Sequence, residues 1–209
     1  ALSGARKAAM DTEAMANLRS ITQGIMMYSM DFDGAVPVGF RPDWPTQYLF
    51  EKETTPPWNG PTALGLAITG NYADSELFYK DDHTHITKTR FDERFGTGPS
   101  SFPGTWGIQS NWCYAHLLTT DVGLPTETQH RELKMEFNDP NTVLVMPWQG
   151  TIDLGPGVHP MNIYVGSGMG LLLGFNDGHV AISGENDLAM YNNVLTPEQC
   201  FLNVDANHP

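Results

Sequence analysis

The stretch Met26-Met27-Tyr28-Ser29-Met30-Asp31-Phe32-Asp33-Gly34-Ala35-Val36-Pro37 runs out of a helical pattern and into a turn. Upstream and into it, Ala14, Leu18, Ile21, Ile25, Tyr28 and Phe32 recur at alternating steps of four and three, which sets them on one helix face. Good helix formers fill most of the other positions, Gly24 is a local weakness, and Gly34 followed by Pro37 stops the run. Asp31 and Asp33 read as turn chemistry, in which Asp bonds nearby backbone while Gly34 takes positive φ. They do not read as a calcium loop, because the EF-hand order of acids followed by its invariant Gly is absent. The spacing predicts a helix over residues 1–33, followed by a head over 34–209.

With 209 residues the chain can bury a core without disulfide or metal staples. Its 24 acidic residues against 11 basic ones give a net charge of -13, which opposes a polyphosphate backbone and argues against nucleic acid as a partner. A charged fraction of only 17%, with five Trp among 21 Gly and 15 Pro, describes a loop-rich globular chain rather than a disordered one. Cys113 and Cys200 permit one long-range bridge and carry no zinc or redox spacing. The longest apolar run, around Met169 to Phe175, is far short of the roughly 20 residues that span a bilayer. The opening Ala1-Leu2-Ser3 lacks the features of a secretory signal, and a start directly in helical sequence reads as a trimmed or processed N-terminus.

Residues 38–110 are dense in Pro, Gly, Trp and polar residues and read as surface connections, with a short helix at 60–69. A second short amphipathic segment covers 111–118. Strand signals come late, at 142–146, 161–165, 170–175 and 179–182. Between the last two, Asn176-Asp177-Gly178 signals a hairpin with a two- or three-residue loop and positive φ at Gly178. In that reading Leu171, Leu173 and Phe175 share a buried face with Val180 and Ile182. Thr196-Pro197-Glu198-Gln199 has the capping-box pattern of a short C-terminal helix. The fold class is α+β: a long N-terminal helix packed on an antiparallel sheet drawn mainly from 140–183, with irregular loop-rich insertions.

The chemistry-bearing residues do not assemble into a catalytic set. Asp81-Asp82-His83-Thr84-His85 concentrates metal-ligand types, but no third ligand is indicated, and it reads as a solvated acidic turn that holds no tight metal. Ser167 sits in Gly166-Ser167-Gly168-Met169-Gly170, which departs from the Gly-x-Ser-x-Gly elbow and leads into a strand. His116, His130, His159 and His208 are scattered, and His179 reads as structural beside its turn. Trp44, Trp58, Trp106, Trp112 and Trp148 read as core beneath the loops; exposed, they would make an alternative carbohydrate- or ligand-binding module. A metal hydrolase built on the His cluster is the third alternative. No catalytic, cofactor-binding or metal-ligating residue is predicted, and no cofactor.

Several words of the sequence resemble a known family. They are Ala1-Leu2-Ser3-Gly4-Ala5-Arg6-Lys7-Ala8-Ala9, Asn17-Leu18-Arg19-Ser20-Ile21, Tyr28-Ser29-Met30-Asp31-Phe32-Asp33-Gly34, Asp139-Pro140-Asn141-Thr142-Val143-Leu144-Val145 and Gly174-Phe175-Asn176-Asp177-Gly178-His179-Val180. In this order they resemble the prepilin-type, pseudopilin-like proteins. The chain departs from many of those relatives at Ser167, where they carry His, and at Lys80-Asp81, where they carry Cys-Pro. The resemblance implies a pilin-like fold and a non-enzymatic structural subunit of a type II secretion or type IV pilus-like envelope assembly. It implies other pilin-like subunits as partners through the helix, and the inner membrane through an apolar segment preceding it. The head would then be periplasmic or extracellular, with Asp31, Asp33, Gly34, Asp177, Gly178 and His179 as structural motif residues.

Overall fold

The long helix α1 spans Leu2–Asp31, close to the expected range, and residues 32–34 form its closing turn. The structure is a computed structural model that describes residues 2–38, 46–54, 57–79, 88–89, 92, 108–114, 135, 139–147, 149–153, 158–162 and 171–182. Leu18, Ile21 and Ile25 are each 0% exposed and Ala14 is buried, so the apolar stripe faces the core as its spacing requires. Its last two members do not follow. Tyr28 is half-buried and Phe32 is 50% exposed. Met26 already lies level with the hairpin tip at Gly178, so the next helical turn runs past the sheet. There Tyr28 stacks on Phe32, centroids 4.3 Å apart, and meets Tyr72 edge-on at 5.6 Å.

Gly24 is a contact rather than a weakness. A Cβ built there would lie 2.8 Å from the Tyr72 carbonyl oxygen and 3.1 Å from Ala73 Cβ, so the missing side chain lets residues 72–73 press against the helix backbone. The helix ends in a Schellman-type turn, with Gly34 N donating to Ser29 O at 2.8 Å. The first left-handed position falls on Asp33 (φ 53°) and the second on Gly34 (φ 79°). Asp tolerates that conformation better than most residues with a side chain.

The head contains a six-stranded antiparallel sheet in the order β2-β1-β3-β4-β7-β8. Its strands are β1 Thr46–Thr54, β2 Pro57–Pro61, β3 Ile108–Tyr114, β4 Val143–Pro147, β7 Leu172–Phe175 and β8 Val180–Ile182. A separate two-stranded ribbon pairs β5 Gln149–Asp153 with β6 Val158–Asn162. The α+β class stands, but the sheet is not drawn mainly from 140–183, because β1, β2 and β3 come from stretches read as surface connections or as a second amphipathic segment. Two physical reasons hid them. β2 is an edge strand, where Pro57 and Pro61 are tolerated because one side of the strand needs no ladder partner. In β3 the buried face is Ser110, Trp112 and Tyr114, and Ser110 satisfies its hydroxyl by donating to Trp112 O at 2.6 Å. A strand whose inward face includes a self-satisfied Ser does not alternate cleanly by letter.

β4 and β7 are buried along their whole length, so both faces of the sheet centre are covered. Helix α1 lies on the Leu172 and Gly174 face, for a Cβ on Gly174 would come within 2.6 Å of Thr22 Cγ2 and 3.1 Å of Leu18 Cδ1. The short helix α2, Leu64–Thr69, starts later than expected because residues 60 and 61 close β2. Gly65 brings α2 onto β1: a Cβ there would be 1.7 Å from Leu49 O. α2 ends in a Schellman motif with Asn71 left-handed (φ 61°), Tyr72 N donating to Ala67 O at 2.9 Å and Asn71 N to Ile68 O at 3.1 Å. That reversal carries Tyr72 onto α1.

Of the strand predicted over 161–165, residues 161 and 162 belong to β6, and the remainder lies outside the described residues. The C-terminal helix at 196–199 also lies outside them. No helix among the described residues is long and apolar enough to cross a membrane.

Candidate functional site

Three turns meet at one end of the sheet, and each carries one of the sequence words read above. The first is the closing turn of α1, at Asp31, Asp33 and Gly34. The second precedes β4, where Asp139 Oδ1 accepts from Asn141 N at 2.8 Å and Asp139 O accepts from Thr142 N at 2.9 Å. This is an Asp-initiated turn that needs no outside support. The third is the β7–β8 hairpin. Because Val143 pairs with Phe175, the second and third turns are neighbours, and Asn176 N donates to Thr142 O at 2.9 Å.

Met135 joins the hairpin to the helix. Its N–H donates to Gly34 O at 2.9 Å, and its carbonyl accepts from Asn176 Nδ2 at 3.0 Å. The hairpin also touches α1 directly: Thr22 Oγ1 donates to Gly178 O at 3.3 Å, and Met26 Sδ would lie 2.5 Å from a Cβ on Gly178.

Within the hairpin, Gly178 N donates to Phe175 O and Phe175 N to His179 O, each at 3.0 Å, with Gly178 at φ 85°. The loop therefore holds three residues, Asn176, Asp177 and Gly178, and ends in a left-handed Gly. The expected sharing of a face is corrected by this count. Leu172 pairs with Ile182, Leu173 with Ala181 and Gly174 with Val180, so Val180 and Ile182 lie on the helix side, opposite Leu173 and Phe175. A two-residue Asp177-Gly178 loop would have paired Phe175 with Val180. Asn176 is instead drawn into the loop by its bonds to Thr142 and Met135, which shifts the register by one residue.

Asp177 and His179 close the turn from outside. Asp177 Oδ1 accepts from His179 N at 2.9 Å and pairs with His179 Nδ1, and both side chains are largely exposed. The His179 ring stacks on Phe175 at 4.0 Å with 9° between planes. Burial pushes the Asp177 carboxyl upward, but the His179 hydrogen bonds and ring charge outweigh it and hold Asp177 below the usual carboxylate range. At the first turn, Asp31 Oδ2 accepts from Tyr72 OH at 2.7 Å. That bond, with some burial and the charge of Asp31, raises the Tyr72 hydroxyl above its ordinary value; burial alone raises Tyr28.

All six predicted motif residues thus fall on two linked turns. Asn176 and Met135, which make the link, were missed: Asn176 read only as a turn letter, and Met135 acts through its backbone, which no side chain advertises. Among the described residues no group of three or more His, Cys, Asp or Glu gathers as a metal site. Asp81, Asp82, His83, His85, His116, His130, Ser167, Cys200, His208, Trp44, Trp106 and Trp148 lie outside the described residues. Trp112 is core, 5% exposed, with Nε1 donating to Leu77 O at 3.0 Å. No protein-family model, curated protein or solved structure matches this chain.

Proposed function

We propose that the protein is a non-enzymatic, pseudopilin- or pilin-like structural subunit of a type II secretion or type IV pilus-like envelope assembly. The observation that carries this reading is the linking of three separated sequence words, at 31–34, 139–142 and 176–179, by hydrogen bonds beside the long helix, the last two directly and the first through Met135. Words that lie far apart in the chain but form one hydrogen-bonded junction behave as a unit of architecture. A second support is the helix itself. Among the described side chains of α1, Ala14 is the first that is buried, while Gly4, Ala5, Arg6, Ala8 and Ala9 are exposed, so a stretch with four small residues extends beyond the core. Small residues let helices approach closely.

In this reading the C-terminal half of α1 locks the head through the sheet and the junction, and the N-terminal half carries contacts to other subunits. An apolar segment preceding it would anchor the assembly in the inner membrane, with the head outside. The work is mechanical: the junction transmits load from the helix to the sheet without bond chemistry. A photo-crosslinking amino acid placed at Ala9 in the native host tests it. The expected result is a ladder of self-adducts or adducts to pilin-like proteins in the envelope fraction. Uncrosslinked monomer confined to the soluble fraction would refute the reading.

A further inference from the structure

Five of the ten methionines lie on α1, and three of them, Met26, Met27 and Met30, stand in its last turns. At 100° per residue these three fall within about 100° of the helix circumference, with Met30 the i+4 neighbour of Met26 and the i+3 neighbour of Met27. Two are unusually open for such apolar side chains: Met27 is 53% exposed and Met30 77%. Met26 is half-buried, its sulfur lying against the Gly178 turn.

The electrostatics around them point the same way. Residues 20–34 contain no Lys, Arg or His, and the last turn of α1 has no basic residue, although the helix C-terminus carries partial negative charge that cations stabilise. Asp31 and Asp33 add two carboxylates at that end. Residues 20–34 themselves therefore place no positive charge beside the three sulfurs to oppose a bound cation.

We propose that Met26, Met27 and Met30 form a binding site for a soft monovalent cation, Cu(I), on the outer flank of α1. Thioethers are soft, neutral ligands that select Cu(I) over hard divalent ions, and three of them can satisfy a monovalent ion without a compensating anion. Methionine's three rotatable bonds let sulfurs on adjacent turns converge on one centre. Met26, fixed by the hairpin, is the anchored ligand, and Met27 and Met30 close over the ion. The site is independent of the assembly role.

The test is anaerobic titration of the full chain with Cu(I) against bicinchoninate, with X-ray absorption of the loaded protein and Ag(I) as a redox-inert probe of methionine methyl resonances. One equivalent of Cu(I) in a sulfur shell is expected, with the Met26, Met27 and Met30 methyls shifted by Ag(I). Met27→Leu/Met30→Leu should lose that equivalent with unfolding unchanged, since both side chains are exposed, whereas Met10→Leu/Met15→Leu should keep it. Three results would each overturn the proposal: copper retained by the first double variant, which would place it on cysteine or histidine; no competition with the chelator; or unmoved methyls, which would leave the flank as an apolar docking face only.

Discussion

Glycine substitutions on one helix should give opposite signs, because the helix is solvated at one end and pressed at the other. A Cβ at Gly4 meets nothing within 4 Å, so Gly4→Ala gains helix propensity and is expected to be neutral or to stabilise by up to about 1 kcal/mol. Gly24→Ala gains the same propensity but drives its methyl against the Tyr72 carbonyl, a backbone atom that cannot swing aside, at a cost of about 1–3 kcal/mol. Urea unfolding of the two variants checks this, and a stabilised Gly24→Ala would show that residues 72–73 do not press on the helix. Asp177 makes a second residue-scale prediction, from its lowered carboxyl. A group depressed in the folded state contributes stability above its unfolded pKa and loses it as pH falls through the folded one. The stability gap between the wild type and Asp177→Asn should therefore be open at neutral pH and close on acidification through and below the usual carboxylate range. A gap constant across that range would mean that the charge on Asp177 contributes nothing to the turn.

The elements that could be read from the sequence were those whose burial pattern matches their own period. α1 announced itself through Ala14, Leu18, Ile21 and Ile25, and all four are buried. Leu18 is the pivot, since it is fully buried and packs beside Thr22 against Gly174 of β7. Leu18→Ala should cost about 2–5 kcal/mol in thermal or urea unfolding, while the equally apolar but exposed Met30→Ala should cost less than about 1 kcal/mol. Similar losses for both would place Leu18 outside the core. β4 and β7 were legible as continuous apolar runs, and the hairpin between β7 and β8 from Asp177-Gly178. β1, β2 and β3 were not, because Pro at an edge, a self-bonded Ser in the buried face and flanking Gly and Trp all read as loop. Register proved the finest failure. Asp-Gly fixes that a turn exists, but whether Asn176 joins the strand or the loop is decided by Thr142 and Met135, which lie far away in the chain.

At the scale of the molecule, the junction of turns was half legible: Asp31, Asp33, Gly34, Asp177, Gly178 and His179 could be named, but their proximity depends on hydrogen bonds to Met135 that carry no sequence signal. Burial divides α1 into two parts. From Ala14 onward the buried stripe ties the helix to the sheet, whereas Gly4, Ala5, Arg6, Ala8 and Ala9 before it are exposed. Stability and assembly should therefore separate along the helix. Ala5→Arg and Ala9→Arg place long charged side chains on exposed helical positions, with good helix propensity and no packing lost, so the unfolding free energy of the head should stay within about 0.5 kcal/mol of wild type. If small residues at these positions admit neighbouring helices, as in the proposed assembly, the same changes should remove crosslinked adducts and envelope retention in the native host. Unfolding of both variants and crosslinking from a probe at Ala8 measure the two properties independently. Lost stability would mean that the first turns of α1 belong to the head's own core. Unchanged stability with undiminished crosslinking would mean that subunits meet through some other face, and the assembly role would then have to be sought away from the helix.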